Sequence, residues 1–393
     1  MPGCRLATVE ANVRYHGRRD VLLAAFAPGT VAAGVFTRNQ MPGAPVDWCR
    51  RHLAGGVVRG LVVNAGNANV FTGRRGAIAC TETASAAAKV LGCAPEQVML
   101  ASTGVIGEPL AYERIVAHLP AAEAALSELA WDDAAAAIMT TDTFPKTATR
   151  TASIQGVPVT LNGIAKGSGM IAPDMATMLA FVATDARIPS GVLQTLLNRS
   201  LKRSFNAITV DSDQSTSDTL MLFATGQGTP HAPVATPGGP GLRDFRAKLE
   251  DLLRDLALQV VRDGEGARKL IQITVTGAVN EKAARRIALA VADSPLVKTA
   301  IAGEDANWGR IVMAVGKAGQ KANRDALAID IGGVTVARDG VRVEGYDETP
   351  VAAHMKGQEI NIAIDVGVGR GRATVWTCDL THGYIDINAD YRS

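Results

Sequence analysis

Between Lys166 and Val182 the chain places one hydroxyl where a peptide bond could be made to break. Gly163 to Gly169 is a glycine-rich turn, Pro173-Asp174 follows, and Met175 to Val182 is an apolar run with Thr177 near its head. Glycines let backbone approach closely and take positive φ. Pro173 fixes the entry angle and disfavours helix at Ala172. The expectation is a sharp bend that delivers the Thr177 hydroxyl to the start of a buried strand. If the Ala176–Thr177 peptide is strained, that hydroxyl can attack the preceding carbonyl and move the acyl group from nitrogen to oxygen. Water then cuts the ester, and a new chain begins at Thr177 with a free α-amine. Such an amine, with a pKa normally about 7.7–8.0, can serve as base for its own hydroxyl. The same residues also read as an ordinary glycine loop entering a core strand, with Thr177 merely polar. The residues alone leave both readings open.

Other stretches offer groups for the same kind of chemistry. Gln97 to Ala101 reads as a strand ending in Ser102-Thr103-Gly104-Val-Ile-Gly107. A strand that stops in Thr-Gly can present a hydroxyl and a backbone N–H side by side, the donor pair of an oxyanion hole, or it can simply turn. Gly60 to Asn64 is a continuous apolar strand running into Asn64-Ala-Gly-Asn-Ala-Asn69, whose amides can bond neighbouring backbone. Thr140-Thr-Asp-Thr143 closes an Ala-rich helix read over Ala121 to Met139. In Gly264-Glu265-Gly266 a carboxylate between glycines is placed either to reach an ammonium group or to sit solvated in a turn. Asp211, Asp213 and Asp218 suggest calcium, but their spacing lacks the closing Glu and the Gly of an EF-hand loop. Helix capping by Ser215 or Thr216 ahead of Leu220 to Phe223 is the expectation there.

The positioning elements follow from periodicity. Short strands are expected over residues 5 to 40, a helix over Gly76 to Leu91 ending at Gly92, and strands at Thr147 to Gln155 and Val157 to Leu161. Ser190 is expected to cap a helix over Val192 to Leu201. Leu242 to Arg262 carries apolar residues close to a 3.6-residue period. From Asn280 the texture changes to a charged helix and short strands, which sets the expected boundary: 1–279, then a C-terminal subdomain over 280–393. The last residues have no evident structural role and are expected to fray.

Composition narrows the function classes. With 393 residues, 47% of them hydrophobic, the chain can bury a large core. Forty Lys+Arg against 38 Asp+Glu and only 4% aromatics argue against nucleic-acid or membrane-surface partners. Five scattered cysteines without a CxxC read as reduced core thiols in a cytoplasmic protein. The six histidines form no HxxxH or HExxH pair, so no metal is expected. The N-terminal residues do not form a signal peptide, and no run is long enough to span a membrane. Gly167 to Ala172 fits a loose dinucleotide pattern, but Pro173 falls where its helix should run.

Lys166-Gly-Ser-Gly-Met-Ile171 with Pro173 and Met175-Ala-Thr-Met178 resembles the self-cleaving segment of the ornithine acetyltransferase (glutamate N-acetyltransferase) family. Asn64 to Asn69, Ser102 to Gly107, Met139 to Thr143, Gly264 to Ala267 and Gly303 to Arg310 match further family motifs, with Ala306 where the family has Pro. The resemblance spans nearly the whole chain. It implies a four-layer αββα sandwich with a C-terminal α/β subdomain, cleaved between Ala176 and Thr177 into fragments 1–176 and 177–393. It implies a dimer of such fragment pairs. Thr177 is then the nucleophile, and Thr103 and Gly104 hold the oxyanion. Thr140, Lys166, Thr177, Glu265, Asn388 and Ser393 bind substrate, with Lys166 a candidate for the α-carboxylate. The implied reaction moves acetyl from N2-acetylornithine to glutamate without a cofactor, with acetyl-CoA as an open second donor. Related self-cleaving aminopeptidases share the sandwich, generally with a serine nucleophile, and make hydrolysis the alternative.

Overall fold

The computed structural model describes residues 1–172 and 178–389. They form two compact units: Met1–Asn206 with Asp213–Val260, and Ala207–Ser212 with Val261 onward.

The first unit contains two sheets. One has the order β1 (Cys4–Val9), β2 (Val21–Phe26), β4 (Gly60–Asn67), β5 (Val98–Val105), antiparallel except for the β4–β5 pair. The other has the order β3 (Val31–Phe36), β9 (Thr219–Ala224), β8 (Leu179–Thr184), β7 (Val157–Lys166), β6 (Lys146–Ile154), with only β8–β9 parallel. Strand side chains alternate between faces, so a strand covered on both sides must be apolar throughout. β8 and β9 are buried at every residue, and only Thr184 at the end of one and Thr219 at the start of the other are polar. Leu179, Phe181, Ala183, Met221 and Phe223 face a core shared with Leu22, Phe26 and Val62 of the first sheet. The Phe26 and Phe223 rings stack across it with centroids 4.3 Å apart.

Helices close both outer faces. α1 (Ala44–His52), α2 (Gly73–Leu91) and α3 (Tyr112–Ala124) cover the first sheet, and α4 (Trp131–Ala137) packs on β1 and β6. Small residues of α2, including Ala84, Ala87 and Ala88, let that helix lie close to the sheet. α5 (Ser190–Leu201) packs on β3 and β9. α6 (Arg243–Arg262) lies over β7, where a Cβ on Gly163 would come within 2.9 Å of Leu256 and 3.0 Å of Leu252. The layers are therefore helix, sheet, sheet, helix, as the resemblance implies.

The second unit is one sheet in the order β13 (Val341–Arg342), β12 (Val334–Arg338), β11 (Ala328–Ile331), β14 (Glu359–Asp365), β10 (Leu270–Ala278), β15 (Gly371–Cys378). Its core is closed by α7 (Glu281–Ala292), α8 (Pro295–Ala302), α9 (Trp308–Lys317) and α10 (Thr349–Met355). α11 (His382–Ala389) follows the last strand.

Several expectations need correction. The second unit begins near Val261, not residue 280, because β10 pairs with β14 and β15. The change at Asn280 marks only a helix start, where its side chain accepts from the Ala283 N–H at 2.9 Å. The single helix read over Ala121 to Met139 is two helices, interrupted where Ser127 and Leu6 exchange backbone hydrogen bonds of 2.8 and 2.9 Å. Gly163 lies inside β7 rather than in a turn, since only a residue without a side chain fits beneath α6. Leu220 to Phe223 is strand, not helix, paired on both edges. Ser190 is the first residue of α5 and makes no capping bond. Among the described residues no helix is long and apolar enough to cross a membrane. All five cysteines are free thiols, and burial pushes Cys4, Cys49 and Cys80 up to about 12.

Candidate active site

The parallel strands β4 and β5 end together in an irregular pairing. Gly104 has φ +129°, and a Cβ there would fall 2.2 Å from the carbonyl carbon of Gly66. Only glycine allows that approach. The Asn64 to Asn69 loop ties the strand ends down. Ser102 Oγ donates to Asn64 Oδ1 at 2.6 Å, and Asn64 Nδ2 donates to the Asn67 carbonyl at 2.8 Å. The Asn69 N–H donates to Asn67 Oδ1 at 2.8 Å. Thr103 is thereby held at the end of a rigid strand with its side chain buried.

A buried cation meets that hydroxyl. Lys166, the last residue of β7, donates from Nζ to Thr103 Oγ1 at 3.2 Å and to Thr140 Oγ1 at 2.7 Å. A hydroxyl that accepts from an ammonium keeps its own hydrogen free to donate. Thr103 can therefore pass the polarisation on to a third group.

Asp142 anchors the cluster, and sequence reasoning missed it. Its side chain is wholly buried and pairs with Lys146 Nζ at 2.7 Å, and its Oδ2 lies 3.9 Å from Lys166 Nζ. It also accepts from the Thr140 N–H at 3.0 Å and the Gly167 N–H at 2.6 Å. Burial alone would raise its pKa. The Lys166 and Lys146 charges and the hydrogen bonds outweigh burial and hold the carboxyl at about 2. The available signal was Asp142 and Lys146 four residues apart, with a second lysine ending an apolar strand.

Asp218, read from sequence only as a rejected metal ligand, is also buried. Its Oδ1 accepts the Met178 N–H at 3.0 Å, and its carbonyl accepts the Thr37 N–H at 3.0 Å. Among the described residues no group of three or more His, Cys, Asp or Glu side chains could hold a metal ion.

In the second unit, Glu265 and Asn388 come together: Asn388 Nδ2 donates to Glu265 Oε2 at 2.7 Å. Gly266 has φ +71°, and a Cβ on it would lie 2.5 Å from the Gly383 carbonyl carbon, so α11 starts directly against it. Thr381 Oγ1 donates to the Gly266 carbonyl at 2.6 Å. Asn388 thus belongs to a helix where fraying was expected. Thr103, Gly104, Thr140 and Lys166 are gathered in the first unit, and Glu265 and Asn388 in the second. Ala176, Thr177 and Ser393 lie outside the described residues.

Two sheets stacked between helices, with a buried lysine joining two threonine hydroxyls beside a strand-end glycine, are the equipment of an acyl-transferring enzyme. The ArgJ family model matches residues 5–393. The arginine biosynthesis bifunctional protein ArgJ of Gluconobacter oxydans is 63% identical over 391 residues, covering 100% of this chain and 92% of that protein. Its counterpart in Rhizobium meliloti is 58% identical over 393 residues, covering 100% of this chain and 95% of that one. A crystal structure of the Bacillus halodurans protein of the same name aligns with TM-score 0.51 and 40% identity, over 53% of this chain and 97% of that one. The chain belongs to the ArgJ family.

Proposed function

We propose that this enzyme transfers acetyl from N2-acetylornithine to the amine of glutamate, releasing ornithine and forming N-acetylglutamate, a step of arginine biosynthesis. The observation that carries this reading is the Lys166 ammonium, buried and bonded to both Thr103 and Thr140. Membership of the ArgJ family supports it.

The chain first cuts itself before Thr177. The Thr177 hydroxyl attacks the Ala176 carbonyl, the C–N bond breaks as the nitrogen takes a proton, and water hydrolyses the resulting ester. The freed amine then takes the hydroxyl proton, directly or through water, as Thr177 attacks the acetyl carbonyl. Thr103 O–H and Gly104 N–H donate to the oxygen as it gains charge. Removing one such donor typically costs about 10²–10³ in rate. Collapse expels ornithine and leaves acetyl on Thr177, and the glutamate amine takes it up by the reverse path.

Lys166 attracts the α-carboxylate and favours the neutral form of the Thr177 amine. Thr140, Glu265, Asn388 and Ser393 complete the amino acid site, with Glu265 suited to the substrate ammonium. Acetyl-CoA serves as a second donor, a reading supported by the word "bifunctional" in the relatives' names. Work in the cytoplasm and assembly as a dimer of fragment pairs complete the proposal.

Intact mass spectrometry tests it. The purified protein is expected as two fragments meeting at Ala176 and Thr177, with one acetyl added to the C-terminal fragment after N-acetylornithine. Thr177→Ala is expected to remain a 40.9 kDa chain without transfer. An uncut Thr177→Ala protein with full activity would end the reading.

A further inference from the structure

Asp218 precedes β9, is 0% exposed, and has no part in the mechanism above. Its Oδ1 holds the Met178 amide, while Oδ2 is enclosed with no hydrogen-bond partner among the described residues. An ionised carboxylate left half-satisfied in a core is strongly disfavoured. Burial accordingly raises its pKa well above the usual carboxylate range. The Met178 amide and the charge of Lys166 on β7 pull the other way and do not restore it, and the Thr37 hydroxyl is committed to the Ser215 carbonyl. Asp218 thus differs from Asp142, which has Lys146 and Lys166 beside it and is ionised. Met178 is bonded to Thr177, so the amide that Asp218 holds is the one that follows the nucleophile.

We propose that Asp218 is a positioning residue that works un-ionised, fixing the peptide that carries Thr177 through the Met178 amide and leaving the Lys166 ammonium to Thr103 and Thr140. This rests on Thr177 being the nucleophile. Asp218 makes and breaks no bond itself. If it ionised, it would compete with the two threonines for Lys166, and the rate would fall.

Asp218→Asn keeps the oxygen acceptor without the charge, and Asp218→Ala removes both. The measurements are the fraction cleaved, by intact mass, and kcat and KM for N-acetylornithine from pH 6 to 10. The Asn variant is expected to be cleaved and to work within about threefold of wild type at neutral pH. Its kcat should hold on the alkaline side where that of wild type declines. The Ala variant should show kcat lower by about tenfold, the loss of one hydrogen bond, with KM nearly unchanged. The proposal is overturned if the Asn variant is uncut or inactive, if its alkaline limb matches wild type, or if the Ala variant equals wild type. Should the Ala variant not fold, the Asn comparison decides alone. A wild-type protein that is neither cut before Thr177 nor acetylated would instead refute the nucleophile reading, and this inference with it.

Discussion

At the scale of single residues, the most consequential charge is one that the sequence barely advertised. Asp142 stands between two buried lysines, at 2.7 Å from Lys146 and 3.9 Å from Lys166. Asp142→Asn removes the carboxylate that lies beside both cations, and breaking a buried ion pair in this way typically costs about 3–5 kcal/mol. Urea denaturation at pH 7 should show a loss of that order. The folded carboxyl sits at about 2 against an ordinary 3.8, so its stabilisation is complete above the ordinary value and disappears as pH falls toward the folded one. The gap between wild type and Asp142→Asn should therefore close between about pH 4 and pH 2. Thr103, Gly104, Thr140 and Lys166 were singled out by the sequence because each falls in a recognisable run. Asp142 was not, because its role depends on β6 and β7 bringing Lys146 and Lys166 to the same end of the sheet. Nothing local in Asp142 shows that pairing.

At the scale of elements, Gly104 and Gly107 separate two reasons for needing glycine. Both have positive φ, at +129° and +89°. A Cβ on Gly107 meets nothing within 4 Å, whereas one on Gly104 strikes the Gly66 backbone. Gly107→Ala should cost only the backbone penalty, about 1–2 kcal/mol. Gly104→Ala must also push β4 and β5 apart, and should cost on the order of 3 kcal/mol or more. Thermal unfolding of the two variants checks the order. Elements with a clear period or a bounded apolar run, such as α6, β5 and β8, were readable from the chain. The failures share one cause. Ser127 breaks a helix by pairing with Leu6, Gly163 stays in strand because α6 lies over it, and Leu220 to Phe223 is strand because β3 and β8 flank it. Each depends on a partner far away in sequence.

At the scale of the molecule, the proposed cleavage before Thr177 would divide a sheet in an unusual way. In the order β3-β9-β8-β7-β6, the two strands after residue 177, β9 and β8, lie between β3 on one side and β7 and β6 on the other, all of which precede it. The core between the sheets is shared in the same manner, with Phe26 stacked on Phe223. The fragments are therefore expected to elute together on native gel filtration and to separate only in denaturant, and neither expressed alone should fold into the first unit. With that cleavage, the interleaving would also make maturation a one-way passage. The intact chain folds as a single molecule, at a rate independent of concentration. Once cut and unfolded, two chains must find each other again, and recovery should slow in proportion as the solution is diluted. The enzyme would then owe its persistence to how rarely it opens, because the unimolecular route by which it was first built has been severed.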